Sequence, residues 1–150
     1  MTGLTLRPAR RDEVPQIVAL LRQDSLSDPP AADDMASHLA AFDAMQAQGC
    51  NHLIVGHASG QLIIACYQLA IIAGLSLTAP LRAQIEGVRV HADHRGRGHG
   101  TVLMRDAETR ARAAGCRLIQ LTSNRARSEA ARFYARLGFT ASHIGYKKSL

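Results

Sequence analysis

The chain has 150 residues and a mass of 16.2 kDa, the size of one domain that buries roughly 68–70% of its unfolded surface. Hydrophobic residues at 47% and charged ones at 20% exclude a disordered chain, a collagen-like repeat and a coiled-coil rod. Net charge is +6, unevenly spread: residues 1–81 carry four Arg and seven Asp/Glu, giving −3, whereas residues 82–150 carry fourteen Lys/Arg and five Asp/Glu, giving +9. The second half is therefore expected to meet an anion, whether nucleic-acid backbone, acidic membrane surface or a phosphorylated small ligand. Residues 62–77, the longest apolar stretch, are interrupted by Gln68, Gly74 and Ser76 and are too short to span a bilayer. The first residues lack the basic start and apolar middle of an export signal, so a cytoplasmic location is expected. Cys50, Cys66 and Cys116 are odd in number and widely spaced, which speaks against a disulfide framework or a Cys-based zinc site. Cys66 and Cys116 sit in or beside apolar runs and read as reduced core residues.

The elements follow in order. Leu4 to Arg7 alternates apolar and polar residues and predicts a strand stopped by Pro8. Asp12 and Glu13 favour a helix start, and Val14, Ile17, Val18, Leu20 and Leu21 recur at helical spacing, so a first helix is predicted over 12–24. After Pro29-Pro30, a second helix is predicted over 31–48, with Met35, Leu39, Phe42 and Met45 on one face and Gly49 as its C-cap. Residues 51–57 and 61–75 read as a β-hairpin around Ser59-Gly60, ending near Gly74. Residues 83–91 alternate as a strand, and the break in phase at Gly87 predicts a bulge or splay. Then come a loop over 92–98 and a helix over 99–114 whose face is Val102, Leu103, Ala107 and Ala111, closed by Gly115. A strand over 117–122, a helix over 127–137 closed by Gly138, and a final strand or strand pair over 139–147 complete the chain. The order β-α-α-β-β-β-α-β-α-β describes a mixed α/β fold in a single domain, residues 1–150, with two parallel strands joined through the helix after Gly98.

The strongest chemical signal is Arg95-Gly96-Arg97-Gly98-His99-Gly100-Thr101, between a predicted strand and a predicted helix. Amides at such a helix start have nothing to bond, and glycines let a phosphate approach them. The spacing fits neither a Walker loop nor a dinucleotide fingerprint. A plain glycine-rich helix cap is the bland alternative.

Val88-Arg89-Val90 followed by this loop, together with Phe133-Tyr134-Ala135-Arg136-Leu137-Gly138-Phe139, resembles the two signatures of the GNAT-type acetyl-CoA-dependent N-acetyltransferases, the family related to the histone acetyltransferases. The likeness is close over residues 84–150, and before that it extends only to the order of elements. It implies a splayed sheet with acetyl-CoA between the strands ending at His91 and Thr122, the pyrophosphate on the amides from Gly96 to Thr101, and the pantetheine arm along the backbone of Val88 and Val90. It also implies that the Tyr134 hydroxyl stands beside the coenzyme sulfur, where a phenol of pKa ~10 could protonate the leaving thiolate. Seven residues before that tyrosine the family usually carries an Asn; here the position is Arg127, and Asn124 lies three residues earlier. Either could serve the pantetheine arm, or Asn124 could simply begin a helix.

Beside the resemblance, the residues themselves nominate Arg95, Arg97, Arg125, Arg127 and Arg132 as countercharge for the coenzyme phosphates, against an ordinary solvated basic face. Tyr134 shares a helical face with Ala130, Phe133 and Leu137 and reads equally as a packed aromatic. Glu86 is the only carboxylate on its strand and is the candidate base, acting through water, against a merely surface-facing role. An alkyl ammonium of pKa ~10.4 must lose a proton before attack, at about 4–5 kcal/mol at pH 7. A backbone N–H near Val88 or Arg89 would hold the tetrahedral oxyanion. His91, His94 and His99 match no zinc spacing, and no metal is expected.

The expected activity is direct transfer of acetyl from acetyl-CoA to a primary amine, on a small molecule or a peptide, with no nucleic-acid or membrane partner and with a homodimer left open. The alternatives are an Arg-rich nucleic-acid-binding module, disfavoured by 4% aromatic content, and a catalytically silent coenzyme A sensor. Asp24, Asp28, Asp33, Asp34 and Asp43 gather around the first two helices and hint at a cationic acceptor, against the plainer reading of solvated helix charges.

Overall fold

The computed structural model describes residues 3–23, 34–58, 60, 62–75 and 80–150. They form two compact units, residues 1–120 and residues 121–150.

The first unit is built on a sheet whose strands lie side by side in chain order: β1 (Thr5–Pro8), β2 (Asn51–His57), β3 (Ile63–Ala73), β4 (Leu81–Val90) and β5 (Leu118–Leu121), whose last residue belongs to the second unit. The pairs β1–β2, β2–β3 and β3–β4 are antiparallel. At the fourth junction Arg117 N donates to Leu81 O at 3.3 Å, and Gln120 Nε2 to Gln84 Oε1 at 2.7 Å. Residue numbers rise together across these two contacts, so β5 runs parallel to β4 and the sheet is mixed, as the crossover helix demanded. β4 continues for six residues past Gln84, whereas β5 ends one residue past Gln120.

Helices cover both faces. A 3-10 turn at Arg11–Glu13 leads into α1 (Val14–Arg22), so the predicted first helix begins tighter than an α-helix. The cause is Glu13: its carboxylate accepts from Arg10 N at 2.8 Å and from both Arg7 guanidinium nitrogens at 2.9 and 2.5 Å. The Arg7 hydrogen bonds hold its pKa down to about 2, against the desolvation of a 94% buried residue. Val14, Ile17, Val18 and Leu20 are buried with Phe42 of α2 (Met35–Gln48), and Val55 and Cys66 close this core from the sheet. Asp34 caps α2 by accepting from Ala36 N at 3.1 Å, and left-handed Gly49 ends it as expected. The predicted start of that helix at 31, and Ser59 of the hairpin turn, lie outside the described residues.

On the other face α3 (His99–Ala113) packs on β3 and β4 through Leu103, Met104, Ala107 and Ala111. Met104 rather than Val102 completes the stripe, a shift of the apolar face that follows the residues facing the sheet. A half-buried relay joins α3 to the sheet: Tyr67 Oη donates to Asp106 Oδ2 at 2.5 Å, and Arg110 Nε donates to the same oxygen at 2.8 Å. Burial, and then the hydrogen bond to Asp106, push the Tyr67 hydroxyl well above the usual phenol range. Cys66 and Cys116 are buried thiols, and burial raises the former to about 12. None of the described helices is long and apolar enough to cross a membrane.

The second unit contains α4 (Ser128–Arg136), whose half-buried face is Ala130, Phe133, Tyr134 and Leu137. The strand predicted over 139–147 is not formed. Phe139, Ile144 and Tyr146 are too scattered to make a buried face, Ile144 and Tyr146 are exposed, and Ser142 N turns back to Thr140 O at 2.9 Å, which breaks an extended run.

Candidate active site

The bulge predicted at Gly87 is present. Cys66 faces Arg89 and Gln68 faces Glu86, so Gly87 and Val88 together oppose the single residue Tyr67. Gly87 has φ +59°, and a Cβ there would come within 3.2 Å of the Leu21 side chain of α1, so a residue with a side chain would meet both strain and crowding.

Past the bulge, His91 N donates to Ile64 O at 2.7 Å. Strand alternation then turns the N–H and C=O of Val90, and of Val88, away from β3 toward the edge that β5 leaves uncovered. The carbonyls there are met by side chains: Arg95 Nε donates to Val90 O at 3.0 Å and Arg89 Nη1 to Val88 O at 2.9 Å. The edge amides are the groups that the resemblance assigns to the pantetheine arm.

A 3-10 turn at Ala92–His94 carries the chain from β4 to the glycine loop, with His91 Nδ1 accepting from Asp93 N at 3.3 Å. Gly96 and Gly98 take left-handed φ values of +73° and +81°. Gly98 is the N-cap of α3, and no side chain caps that helix; its first intrahelical bond is Val102 N to Gly98 O, 3.2 Å. The amides of His99, Gly100 and Thr101 thus lack the cap that Asp34 gives α2. They stand at the positive end of the helix dipole. Arg95 and Arg97 are exposed beside them.

His99 is 93% buried at the first position of α3, with Nδ1 lacking a hydrogen-bond partner. Burial first, then His94 and Arg97, keep its pKa below the ordinary histidine value. The rings of His91 and His94 are 5.8 Å apart and those of His94 and His99 6.4 Å, yet no group of three His, Cys, Asp or Glu among the described residues is arranged to hold a metal ion.

Glu86 is exposed on β4, on the α1/α2 face of the sheet, directly opposite Gln68. The first unit therefore brings together Glu86, Val88, Arg89, Val90 and residues 95–101. Asn124, Arg127 and Tyr134 belong to the second unit. Asn124 Oδ1 accepts from Ala126 N at 2.9 Å and its carbonyl from Arg127 N at 3.0 Å, an Asx turn that leads into α4, of which Arg127 is the N-cap. Tyr134 packs edge-on against Phe133 and Phe139, with centroids 5.1 and 5.9 Å away.

Two of the five acidic residues around the first two helices lie among the described residues. Asp43 is paired with Arg11 at 2.9 and 3.0 Å, Asp34 is spent on its cap and on Ser37, and Asp24, Asp28 and Asp33 lie outside the described residues. What the sequence reading missed on this face is a set of amides. Gln120 donates to Gln84 as above, Gln68 Nε2 to Asn51 Oδ1 at 2.9 Å, and Asn51 Nδ2 to Gln48 Oε1 at 2.9 Å. The available signal was Gln68 at the centre of an otherwise apolar strand.

Comparison with known proteins agrees with this geometry. The sequence profile of the acetyltransferase (GNAT) family matches residues 18–139. A transcriptional regulator of Bacillus halodurans C-125 superposes with a TM-score of 0.88 at 37% identity, over 98% of this chain and 99% of that one. A Clostridium acetobutylicum protein assigned as an acetyltransferase and solved with acetyl-CoA gives 0.76 at 16% identity over 96% of each chain, a likeness of fold alone. Aminoalkylphosphonate N-acetyltransferase of Salmonella typhimurium LT2 is 39% identical over 67 residues, which take in 45% of this chain and 44% of that protein, so the match spans less than half of it.

Proposed function

Because the chain belongs to the GNAT acetyltransferase family, we propose that it is an N-acetyltransferase that moves the acetyl group of acetyl-CoA to a primary amine by direct attack. The observation that carries this reading is the uncapped N-terminus of α3, set behind two left-handed glycines at the end of a bulged strand with a free edge. The pyrophosphate would lie on the amides from Gly96 to Thr101, with Arg95 and Arg97 as countercharge. The pantetheine arm would pair with the edge of Val88 and Val90.

In the reaction, Glu86 accepts a proton from the acceptor ammonium through water, and the freed amine attacks the thioester carbon. The N–H of Val88, aimed at the open edge, donates to the oxyanion of the tetrahedral intermediate. As that intermediate collapses the C–S bond breaks, Tyr134 gives its proton to the departing thiolate, and the second proton of the attacking nitrogen leaves through water and restores the phenol, so that amide and free thiol are the products. Asn124 offers its remaining side-chain N–H groups, and Arg127 its guanidinium, to the coenzyme. Release of free thiol from acetyl-CoA in the presence of amines tests the reading, and absence of turnover across amino acids, polyamines, aminoglycosides and peptides would refute it.

The description of the Bacillus halodurans relative as a transcriptional regulator favours one second reading, in which the +9 half binds nucleic acid. Duplex DNA that is bound with a steep salt dependence and displaced by acetyl-CoA would support it.

A further inference from the structure

The α1/α2 face of the sheet changes character along its length. Near the bulge it is apolar and covered: Val55 and Cys66 are fully buried with α1 and α2. Toward the start of β4 every residue on that face is half-exposed or exposed, and four of them are amides. Register places Asn51, Ala70 and Gln84 in one row and Leu53, Gln68 and Glu86 in the next, while the hydrogen bond to Gln84 puts the Gln120 side chain on the same face.

On the opposite face at the same level Leu69, Ala83 and Ile85 are buried, Ile71 is half-buried and His52, on β2, is exposed. Amides on β2, β3 and β4, facing the side that helices cover elsewhere, are costly for a packed face but fit one that a ligand meets.

The charge on this strip narrows what the ligand can be. Glu86 is its single carboxylate, and Arg82 and Arg89 flank it on the same face, so the strip repels a polycation. Arg89 bonds the backbone at Val88, and Arg82 stands four residues from Glu86, about 13 Å along the strand, beyond the reach of a small acceptor whose nitrogen is at Glu86. Gln84 and Gln120, and Asn51 and Gln68, are already paired into two rigid units, leaving one side-chain carbonyl each on Gln68 and Gln120 to accept. Fixed amides of this kind read hydroxyl and amide groups rather than charge.

We infer that Gln68, Gln84 and Gln120, with Asn51 behind Gln68, are the specificity-determining residues for the acceptor, and that the acceptor is a singly charged amine flanked by neutral hydroxyl or amide groups. The inference rests on the acetyltransferase reading above and names the substrate class of that site.

The test measures kcat/KM, per concentration of unprotonated amine, for glucosamine and glycinamide against cyclohexylamine, ethylamine, spermidine and 2-aminoethylphosphonate, with the thermal shift given by acetyl-CoA followed in parallel. Glucosamine or glycinamide should exceed its plain alkyl counterpart by at least ~10²-fold, because a site built to hydrogen-bond rejects an analogue that lacks the partner. Gln120→Met and Gln68→Met, which keep length and remove the amide, should narrow that ratio about tenfold while the acetyl-CoA shift persists. Spermidine or 2-aminoethylphosphonate as the best acceptor, equal rates for sugar and alkyl amines, or an acetyl-CoA shift with no turnover of either hydroxyl or amide amine would each overturn the inference and leave coenzyme binding standing. Loss of the acetyl-CoA shift in the wild-type protein would instead refute the acetyltransferase reading itself.

Discussion

Substitution of Gly98 can separate the cradle at the head of α3 from the backbone that shapes it. Its φ of +81° means that Gly98→Ala is strained at about 1–2 kcal/mol whatever binds there. Asn tolerates the left-handed region, so Gly98→Asn should keep stability within about 1 kcal/mol of wild type. Both place a Cβ beside the uncapped amides of His99, Gly100 and Thr101. A charge-assisted hydrogen bond is worth about 1.5–3 kcal/mol, so losing one should weaken acetyl-CoA at least ~10-fold. At a ligand concentration of about 100 times the wild-type Kd, linkage stabilises wild type by about 2.7 kcal/mol and such a variant by about 1.4 kcal/mol. For a chain of this length that difference is a fall of roughly 3–5 °C in the ligand-induced Tm shift, readable by scanning fluorimetry. Gly100, already inside the helix, is the control: Gly100→Ala should raise apo stability by up to about 1 kcal/mol and keep the amide. A Gly98→Asn variant with an undiminished acetyl-CoA shift would show that the phosphates bind elsewhere.

Glu86→Gln keeps size and removes the proton acceptor, so turnover at neutral pH should fall and partly recover as pH rises and free amine accumulates; an unchanged pH–rate profile would assign the base elsewhere. Tyr134→Phe should lower kcat by about 10²–10⁴-fold, with acetyl-CoA affinity held and stability changed by no more than about 1–2 kcal/mol; wild-type turnover would leave it a packing residue. Glu13 has its pKa depressed to about 2 from 4.5 by Arg7, so its contribution is fully present above pH 4.5 and is lost as pH falls toward 2. Arg7→Ala should therefore flatten the acid limb of a stability–pH curve within that window, and an unaltered limb would contradict the pairing. Tyr67→Phe removes the donor to the half-buried Asp106 carboxylate, which keeps Arg110, and should cost about 0.5–1.5 kcal/mol in urea unfolding; no loss would show that the bond does not hold α3 to the sheet.

The elements legible in the sequence were those written in local patterns. The glycine loop, the bulge at Gly87 and the left-handed stops at Gly49, Gly115 and Gly138 each rest on one residue's backbone freedom, and each appears where expected. Contacts between distant positions were not legible. Tyr67 and Asp106 are 39 residues apart, and Gln84 and Gln120 36; nothing local marks them as partners until register is known. The final strand failed for a related reason: alternation suggests extension, but a strand also needs a neighbour, and residues 139–150 make no ladder among the described residues. The α2 stripe was legible too: Phe42 is buried, Met35 and Leu39 pack against the same core and Met45 is half-buried.

The bulge at Gly87–Val88 also acts as a phase shifter in β4. Glu86 and Arg89, three residues apart, share one face only because two residues stand where one would. Pairing Gly87 and Val88 each with a partner of its own, as an unbulged ladder would, turns every side chain from Arg89 onward to the opposite face. Val88 and Val90 would then present to α1 what they now present to α3, and the glycine loop would leave the sheet rotated by half a turn. Deleting one of the two residues instead keeps Arg89 opposite Cys66 and every later side chain on its present face, so a one-residue deletion at 87–88 should cost less stability in urea unfolding than one in the regular stretch 82–86.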